Sequence, residues 1–202
     1  MRKIKVFAHI SLDGVISPGG PNVDNAYAHG GWKAPYRTPT GAAAIAEAQG
    51  KSFDLLLGRR TYDLWAGSWP KAPKGLIADG LNAATKYVAT HRPESLEWGP
   101  VGDLGADTLE GIRGIKSNGG PDLIVWGSTT LTSVLFEQGL VDEVLLIVYP
   151  VLLGRGKRFF SESGDTREFA LVSTKATPSG VLMNTYRPVG SLRTGSSAEP
   201  PA

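Results

Sequence analysis

Apolar and polar residues alternate from the start of the chain, with Ile4, Val6 and Ala8 set against Lys3, Lys5 and Phe7. A period of two places alternate side chains on opposite faces, so residues 2–10 predict a strand. Further apolar runs are short and bounded by turn residues: "FDLLLG" at 53–58, "KYVATH" at 86–91 and "DLIVWG" at 122–127. Unbroken apolar character over so few residues fits strands covered on both faces. "DEVLLIVYPVLL" at 142–153 predicts a longer strand, and "REFALVST" with "GVLMNTYRP" (167–174 and 180–188) predicts a terminal hairpin.

Helical signals fall between these runs. "TGAAAIAEAQ" at 40–49 has Thr40 as its cap and Gly50 as its stop. A short helix is expected over 60–68. Another is expected over 107–117, led by Asp107 and followed by Gly119-Gly120. In "STTLTSVLFEQGL" (128–140), Leu131, Val134, Leu135 and Phe136 supply an apolar face. From Leu12 to Pro39 the chain is rich in Gly, Pro, Asn and Asp, which predicts a long loop of the kind that serves as a lid or stays disordered. Trp32, Tyr27 and Tyr36 could close this loop over a ligand or anchor it to the surface. The polar tail after Gly190 is expected to be disordered, leaving one domain over 1–190 and a tail over 191–202. Strands alternating with helices, then consecutive strands, imply an α/β fold. Its central sheet is mostly parallel, with helices on both faces and an antiparallel C-terminal edge.

Composition narrows the chemistry. The chain has 202 residues, enough for one domain with a core that needs no staples. It contains no cysteine, which excludes thiol nucleophiles, cysteine zinc sites and disulfides. A net charge of +2, from 21 basic and 19 acidic residues, gives no electrostatic case for nucleic acid. No apolar run approaches the roughly 18 residues of a membrane span. The opening "MRKIKVFAHI" has the polar interruptions of a strand rather than a signal peptide, so a cytoplasmic protein is expected. His9, His29 and His91 lack metal-ligand spacing. There is no Gly-x-Ser-x-Gly elbow, and "GRGKRF" at 154–159 completes neither a dinucleotide fingerprint nor a P-loop.

The ends of three predicted strands share a chemistry. They read "LGRRT", "ATHR" and "WGSTT". In open α/β sheets ligands bind outside the carboxyl ends of the strands. Glycine admits a ligand close to the backbone, a following helix offers free N–H groups, and arginine adds charge-assisted hydrogen bonds to phosphate. Each exit alone could be a plain turn with a solvated charge. Their repetition suggests a ligand with more than one phosphate.

With these residues the chain resembles the dihydrofolate-reductase-like family, in the branch related to the reductase domain of riboflavin biosynthesis. The matching segments are "HISLDGVI" (9–16), "LLLGRRTYD" (55–63), "YVATH" (87–91), "LIVWGSTTL" (123–131) and "VDEVLLIVYPVLLGRGKRFF" (141–160), in the family's order across 2–188. The resemblance implies a three-layer fold, a homodimer and an NADPH-dependent reductase acting on a small heteroaromatic or carbonyl-like substrate, of pterin or pyrimidine type. Carried over by motif, Gly58, Arg59, Arg60 and Thr61 stand by the cofactor phosphates. Thr90, His91 and Arg92 lie near the 2′-phosphate. Gly127, Ser128, Thr129 and Thr130 hold the pyrophosphate with Leu131 behind, and Ala8 and Ile16 meet the nicotinamide through their backbone. Either Arg59 with Arg60, or His91 with Arg92, reads the 2′-phosphate. Dihydrofolate reductases carry a carboxylate on the first helix. Here only Glu47 is offered, late and among alanines, where a surface position is expected. Asp13 is the catalytic candidate, as a substrate ligand or proton relay; it is equally a turn aspartate before glycine. Two other readings stay open: a nucleotide-binding module of the same fold without turnover, and a dimer of that fold binding another anion.

Overall fold

The strands that the period and the apolar runs predict come together in one sheet. The structure is a computed structural model that describes residues 1–16, 31–160, 164 and 166–195. Tyr27, His29 and half of the predicted long loop, residues 17–30, lie outside the described residues. In chain order the elements are β1 (Ile4–Ser11), α1 (Pro39–Gln49), β2 (Phe53–Gly58), α2 (Arg59–Ala66), α3 (Leu76–Ala83), β3 (Lys86–Ala89) and β4 (Val101–Gly102). They continue with α4 (Thr108–Ser117), β5 (Asp122–Trp126), α5 (Thr129–Glu137), β6 (Glu143–Tyr149), β7 (Arg167–Ala176) and β8 (Leu182–Ser191). Among the described residues the strands form an eight-stranded sheet in the order β4-β3-β2-β5-β1-β6-β8-β7. β1 to β6 run parallel. β8 pairs antiparallel with both β6 and β7.

The alternation in β1 sorts its side chains between two cores. Ile4, Val6, Ala8 and Ile10 pack with Leu56, Leu123 and Val125 beneath Ile112 of α4 and Leu131 and Leu135 of α5. Phe7 faces the other way, with Leu55, Leu57, Ile124 and Ile147, beneath Ala44 of α1, Tyr62 of α2 and Leu81 of α3. This is a three-layer α/β/α arrangement, and it explains the unbroken apolar runs: the central strands are covered twice.

Charge is concentrated at the amino ends of the strands, where it fastens the sheet. Buried Arg2 pairs with Asp54 and donates to the Pro121 carbonyl (2.5 Å), joining the starts of β1, β2 and β5. Lys116 of α4 pairs with Asp142 ahead of β6. Lys86, fully buried at the start of β3, donates to the carbonyls of Asn82 (2.7 Å) and Gly99 (3.0 Å) and lies 4.3 Å from the Trp98 ring centre. The opposite edge is left for the site.

Several boundaries differ from the pattern. α1 starts at Pro39 and is capped by Thr38, whose hydroxyl accepts from Gly41 N (3.0 Å), so Thr40 is not the cap. β3 stops at Ala89, opposite Gly58 where its partner β2 ends, and β6 stops at Tyr149, because Pro150 withholds the N–H that a ladder needs. Gly139, with φ +64°, turns the chain beyond α5 before the predicted end. α3 was missed since Gly75 and Gly80 lower its helical signal. β8 runs to Ser191, which pairs with Arg167, and Arg193 pairs with Glu168, so residues 191–193 are more ordered than the polar composition predicts. Residues 196–202 lie outside the described residues.

Candidate functional site

Because β3, β2, β5, β1 and β6 are neighbours running the same way, their carboxyl ends share one edge. The corners at Gly58, His91 and Gly127 therefore converge, and all three line a cleft of about 1390 Å³. Every cofactor residue expected from the sequence lines this cleft except Arg92. Its volume exceeds the roughly 300–1,000 Å³ of single-ligand pockets.

One end is built from backbone and small polar groups. Gly127 (φ +57°) and Ser128 (φ 45°, ψ 49°) are consecutive left-handed residues between β5 and α5. A turn of this kind presents N–H groups toward a common point and suits an anion. Ser128 Oγ accepts from Gly58 N (3.1 Å) and donates to Thr61 Oγ1 (2.9 Å), latching the β5 exit to the start of α2. Thr132 Oγ1 donates to the Gly127 carbonyl (2.8 Å) and fixes the turn from below. The Gly127–Ser128 peptide is trans.

Arg59 is a brace. Its Nε donates to Asp63 (2.8 Å), and its Nη1 donates to Ser95 Oγ (2.6 Å) and to the Arg92 carbonyl (3.2 Å). It thereby ties α2 to the segment after β3. Arg92 serves through its backbone: its carbonyl receives Arg59, its N–H donates to Thr90 Oγ1 (3.1 Å), and it does not line the cleft.

The other end is aromatic. Trp126, His9 and Tyr149 stand in a row on the adjacent strands β5, β1 and β6. The His9 ring stacks on Trp126 (centres 5.3 Å apart, 24° between planes), and His9 Nδ1 is hydrogen-bonded to Tyr149 Oη (2.9 Å). Trp32 and Tyr36 meet Tyr149 edge-on at 4.9 and 5.7 Å. Burial, with the charges of Lys33 and Arg37 adding to it, pushes the His9 imidazole well below its ordinary range. Burial raises the Tyr149 phenol to about 12. Lys33 is lowered to about 8 by burial and by Arg37. Sequence reasoning missed His9, Trp126 and Tyr149 as a group. The strand-exit argument, extended to β1 and β6, reaches all three; testing His9 only for metal spacing hid it.

No aspartate or glutamate is among the described residues lining the cleft, whereas Lys33, Arg37, Arg59, Arg60 and Lys157 are. α1 contributes Gly41, Ala42, Ala43 and Ile45 to the wall. Glu47 is exposed and pairs with Lys175 (3.0 Å), as its position among alanines suggested.

Asp13 does not line the cleft. Its carboxylate accepts from Ser11 Oγ (2.5 Å), Leu153 N (3.1 Å) and Gly154 N (2.7 Å), and its carbonyl accepts from Arg158. Those bonds, the Ser11 hydroxyl first, hold it down to about 2. These bonds make it a clamp between the two loops. The sign of the effect on stability follows. A carboxyl depressed in the folded state contributes fully above about pH 4 and loses that contribution as pH falls toward 2. Asp13→Asn is expected to flatten the acid limb of the stability curve, measured by urea unfolding between pH 2 and 5; a variant with the wild-type slope contradicts the clamp.

The sheet order, the two helical layers and the cleft on the carboxyl edge define the dihydrofolate-reductase-like class. Within it the chain belongs to the RibD C-terminal domain family, whose model matches residues 2–183. Among curated proteins it is similar to the uncharacterised YyaP of Bacillus subtilis (strain 168), 29% identical over 136 residues, covering 65% of this chain and 72% of that one. Among solved structures it is similar to RibD of Acinetobacter baumannii (TM-score 0.60, 15% identity), covering 94% of this chain and 58% of the longer one. It is also similar to dihydrofolate reductase of Enterococcus faecalis, solved as a complex with NADP(H) (TM-score 0.58, 16% identity, 92% and 96% covered). Among the described residues no acidic, histidine or cysteine group could hold a metal, and no helix is long and apolar enough to cross a membrane.

Proposed function

We propose that the protein is an NADPH-dependent reductase that transfers hydride to a small planar heteroaromatic substrate of pterin or pyrimidine type. The observation that carries this reading is the convergence of three glycine- and hydroxyl-bearing strand exits on one cleft that bears cations and, among its described residues, no carboxylate. A dinucleotide brings phosphates to be neutralised and a flat ring to be stacked, and the two ends of the cleft divide along that line. Family membership supports the same reading.

In this reading the turn at Gly127–Ser128 and the amino end of α5 hold the pyrophosphate, with Thr129 and Thr130 adding hydroxyls. Arg60 neutralises it from α2, while Arg59 keeps α2 and the β3 exit together. Thr90 and His91 meet the 2′-phosphate. Ala8 and Ile16 border the nicotinamide, and Trp126, His9, Tyr149 and Tyr36 wall the substrate. When bound, the dinucleotide supplies the hydride; the protein aligns the two rings and keeps water out.

The test is a thermal shift with NADPH, with NADH and with neither. NADPH at about 100 times its Kd is expected to add about 2.7 kcal/mol, a rise of roughly 5–10 °C for a chain of this size. Arg60→Ala should weaken NADPH and NADH alike, by about tenfold or more, as loss of a charged hydrogen bond to phosphate does. His91→Ala should weaken NADPH more than NADH. The reverse pattern would reassign the 2′-phosphate to α2, and no shift with either nucleotide would sink the reading.

A further inference from the structure

The substrate end of the cleft needs a proton as well as a hydride, and its described lining offers no carboxylate to give one. The side chains there that carry an ionisable proton are His9, Lys33, Tyr36 and Tyr149. Two of them are fixed to each other. Tyr149 Oη and His9 Nδ1 are 2.9 Å apart on neighbouring parallel strands of the central sheet. Lys33 lies on the segment leading to α1, has no carboxylate partner among the described residues, and makes only a long approach to its neighbour Trp32 (6.0 Å). Beside the pair, the indole N–H of Trp126 is buried and has no hydrogen-bond partner among the described residues.

Resting on the reductase reading, we propose that the Tyr149 hydroxyl, positioned by His9, delivers the proton to the heteroatom of the bond being reduced. The substrate is then a planar ring bearing a polarised C=N or C=O bond. The step balances. Reduction of C=N adds hydride to carbon, moves the π pair onto nitrogen and adds a proton there. The reduced dinucleotide named above supplies the hydride. The Oη–H bond of Tyr149 breaks as N–H forms. His9 Nδ1 holds the hydroxyl in place, and once the product leaves, the phenolate takes a proton from water in the open cleft, which restores the starting state with the imidazole unchanged.

The surroundings agree with this. Trp126 stacks on His9, Tyr36 and Trp32 pack on Tyr149, and Lys33 and Arg37 are the cations that act on His9. They and burial keep the imidazole neutral, and burial keeps the phenol protonated throughout the physiological range.

Two readouts test the assignment on the full chain. The first is binding of pterin without dinucleotide, followed by quenching of pterin fluorescence. Tyr149→Phe is expected to weaken it about tenfold, the loss of one buried hydrogen bond. The second is NADPH oxidation with dihydropterin as the imine probe and phenanthrenequinone as the carbonyl probe. Tyr149→Phe is expected to lower kcat about 100-fold with a much smaller change in KM, as loss of a general acid does. His9→Ala should lower kcat too, His9→Asn should restore part of it, and the double variant should fall no further than Tyr149→Phe alone. Wild-type kcat and pterin affinity in Tyr149→Phe overturn the proposal, as does a 100-fold loss in Lys33→Met that Tyr149→Phe does not share. A wild-type protein that is stabilised by NADPH but oxidises none with either probe overturns the proton step and leaves dinucleotide binding standing. Absence of any NADPH shift removes the reductase reading itself, while pterin binding still reports on the Tyr149 contact.

Discussion

Gly111→Ala is expected to destabilise the protein by at least about 3 kcal/mol, the upper range of overpacking penalties. Gly111 lies in the second turn of α4, against the backbone of Leu104. A Cβ at that position would fall 1.8 Å from the Leu104 carbonyl oxygen and 2.7 Å from its carbon. Neither atom belongs to a flexible side chain, so the helix itself must move. Thr108, Leu109 and Ile112 on the same helix line the cleft, so NADPH affinity should fall with stability. Gly114, one turn on, supplies the control. It is exposed, and nothing lies within 4 Å of its Cβ position. Gly114→Ala should raise stability by roughly 0.5–1 kcal/mol through helix propensity. Urea unfolding of the two variants should move in opposite directions. A Gly111→Ala protein of wild-type stability would mean that α4 does not sit this close to Leu104.

The sheet was legible because its physical cause is local. A strand covered on both faces must be apolar throughout, and "FDLLLG" and "DLIVWG" are. The gathering of the three strand exits at one end of the cleft was legible for a related reason: parallel pairing brings adjacent exits together, so glycine, hydroxyls and cations repeated after successive strands had to share one edge. What escaped was set by packing across the sheet. Nothing near His9 in the sequence says that Trp126 will lie on one side of it and Tyr149 on the other; that depends on the strand order β5-β1-β6. The role of Arg59 was hidden similarly. Its partners Ser95 and the Arg92 carbonyl come from a different strand exit. Asp13 shows the converse. A local Asp-Gly signature marked a turn, and the bonds that make it a clamp reach Leu153 and Gly154, about 140 positions away along the chain.

The latch between β2 and β5 can be separated from the backbone conformation that carries it. Ser128 holds φ 45°, a left-handed conformation that costs an L-residue roughly 1–2 kcal/mol and a β-branched one more. Its hydroxyl offsets part of that cost by accepting from Gly58 N and donating to Thr61. Ser128→Val loses the hydroxyl, leaves the Gly58 N–H without its acceptor and forces a branched side chain into the left-handed region. The sum is about 3 kcal/mol of stability. Ser128→Gly also loses the latch, but glycine takes the same backbone conformation without strain. The two changes nearly cancel, and its stability should stay within about 1 kcal/mol of wild type. Binding should discriminate further. If the turn is what holds the pyrophosphate, Ser128→Val, which displaces it, should lose at least tenfold in NADPH affinity by titration, and Ser128→Gly, which keeps it, should lose less. Equal losses in the two variants would assign the effect to the hydroxyl and show that the left-handed turn is not what the ligand reads.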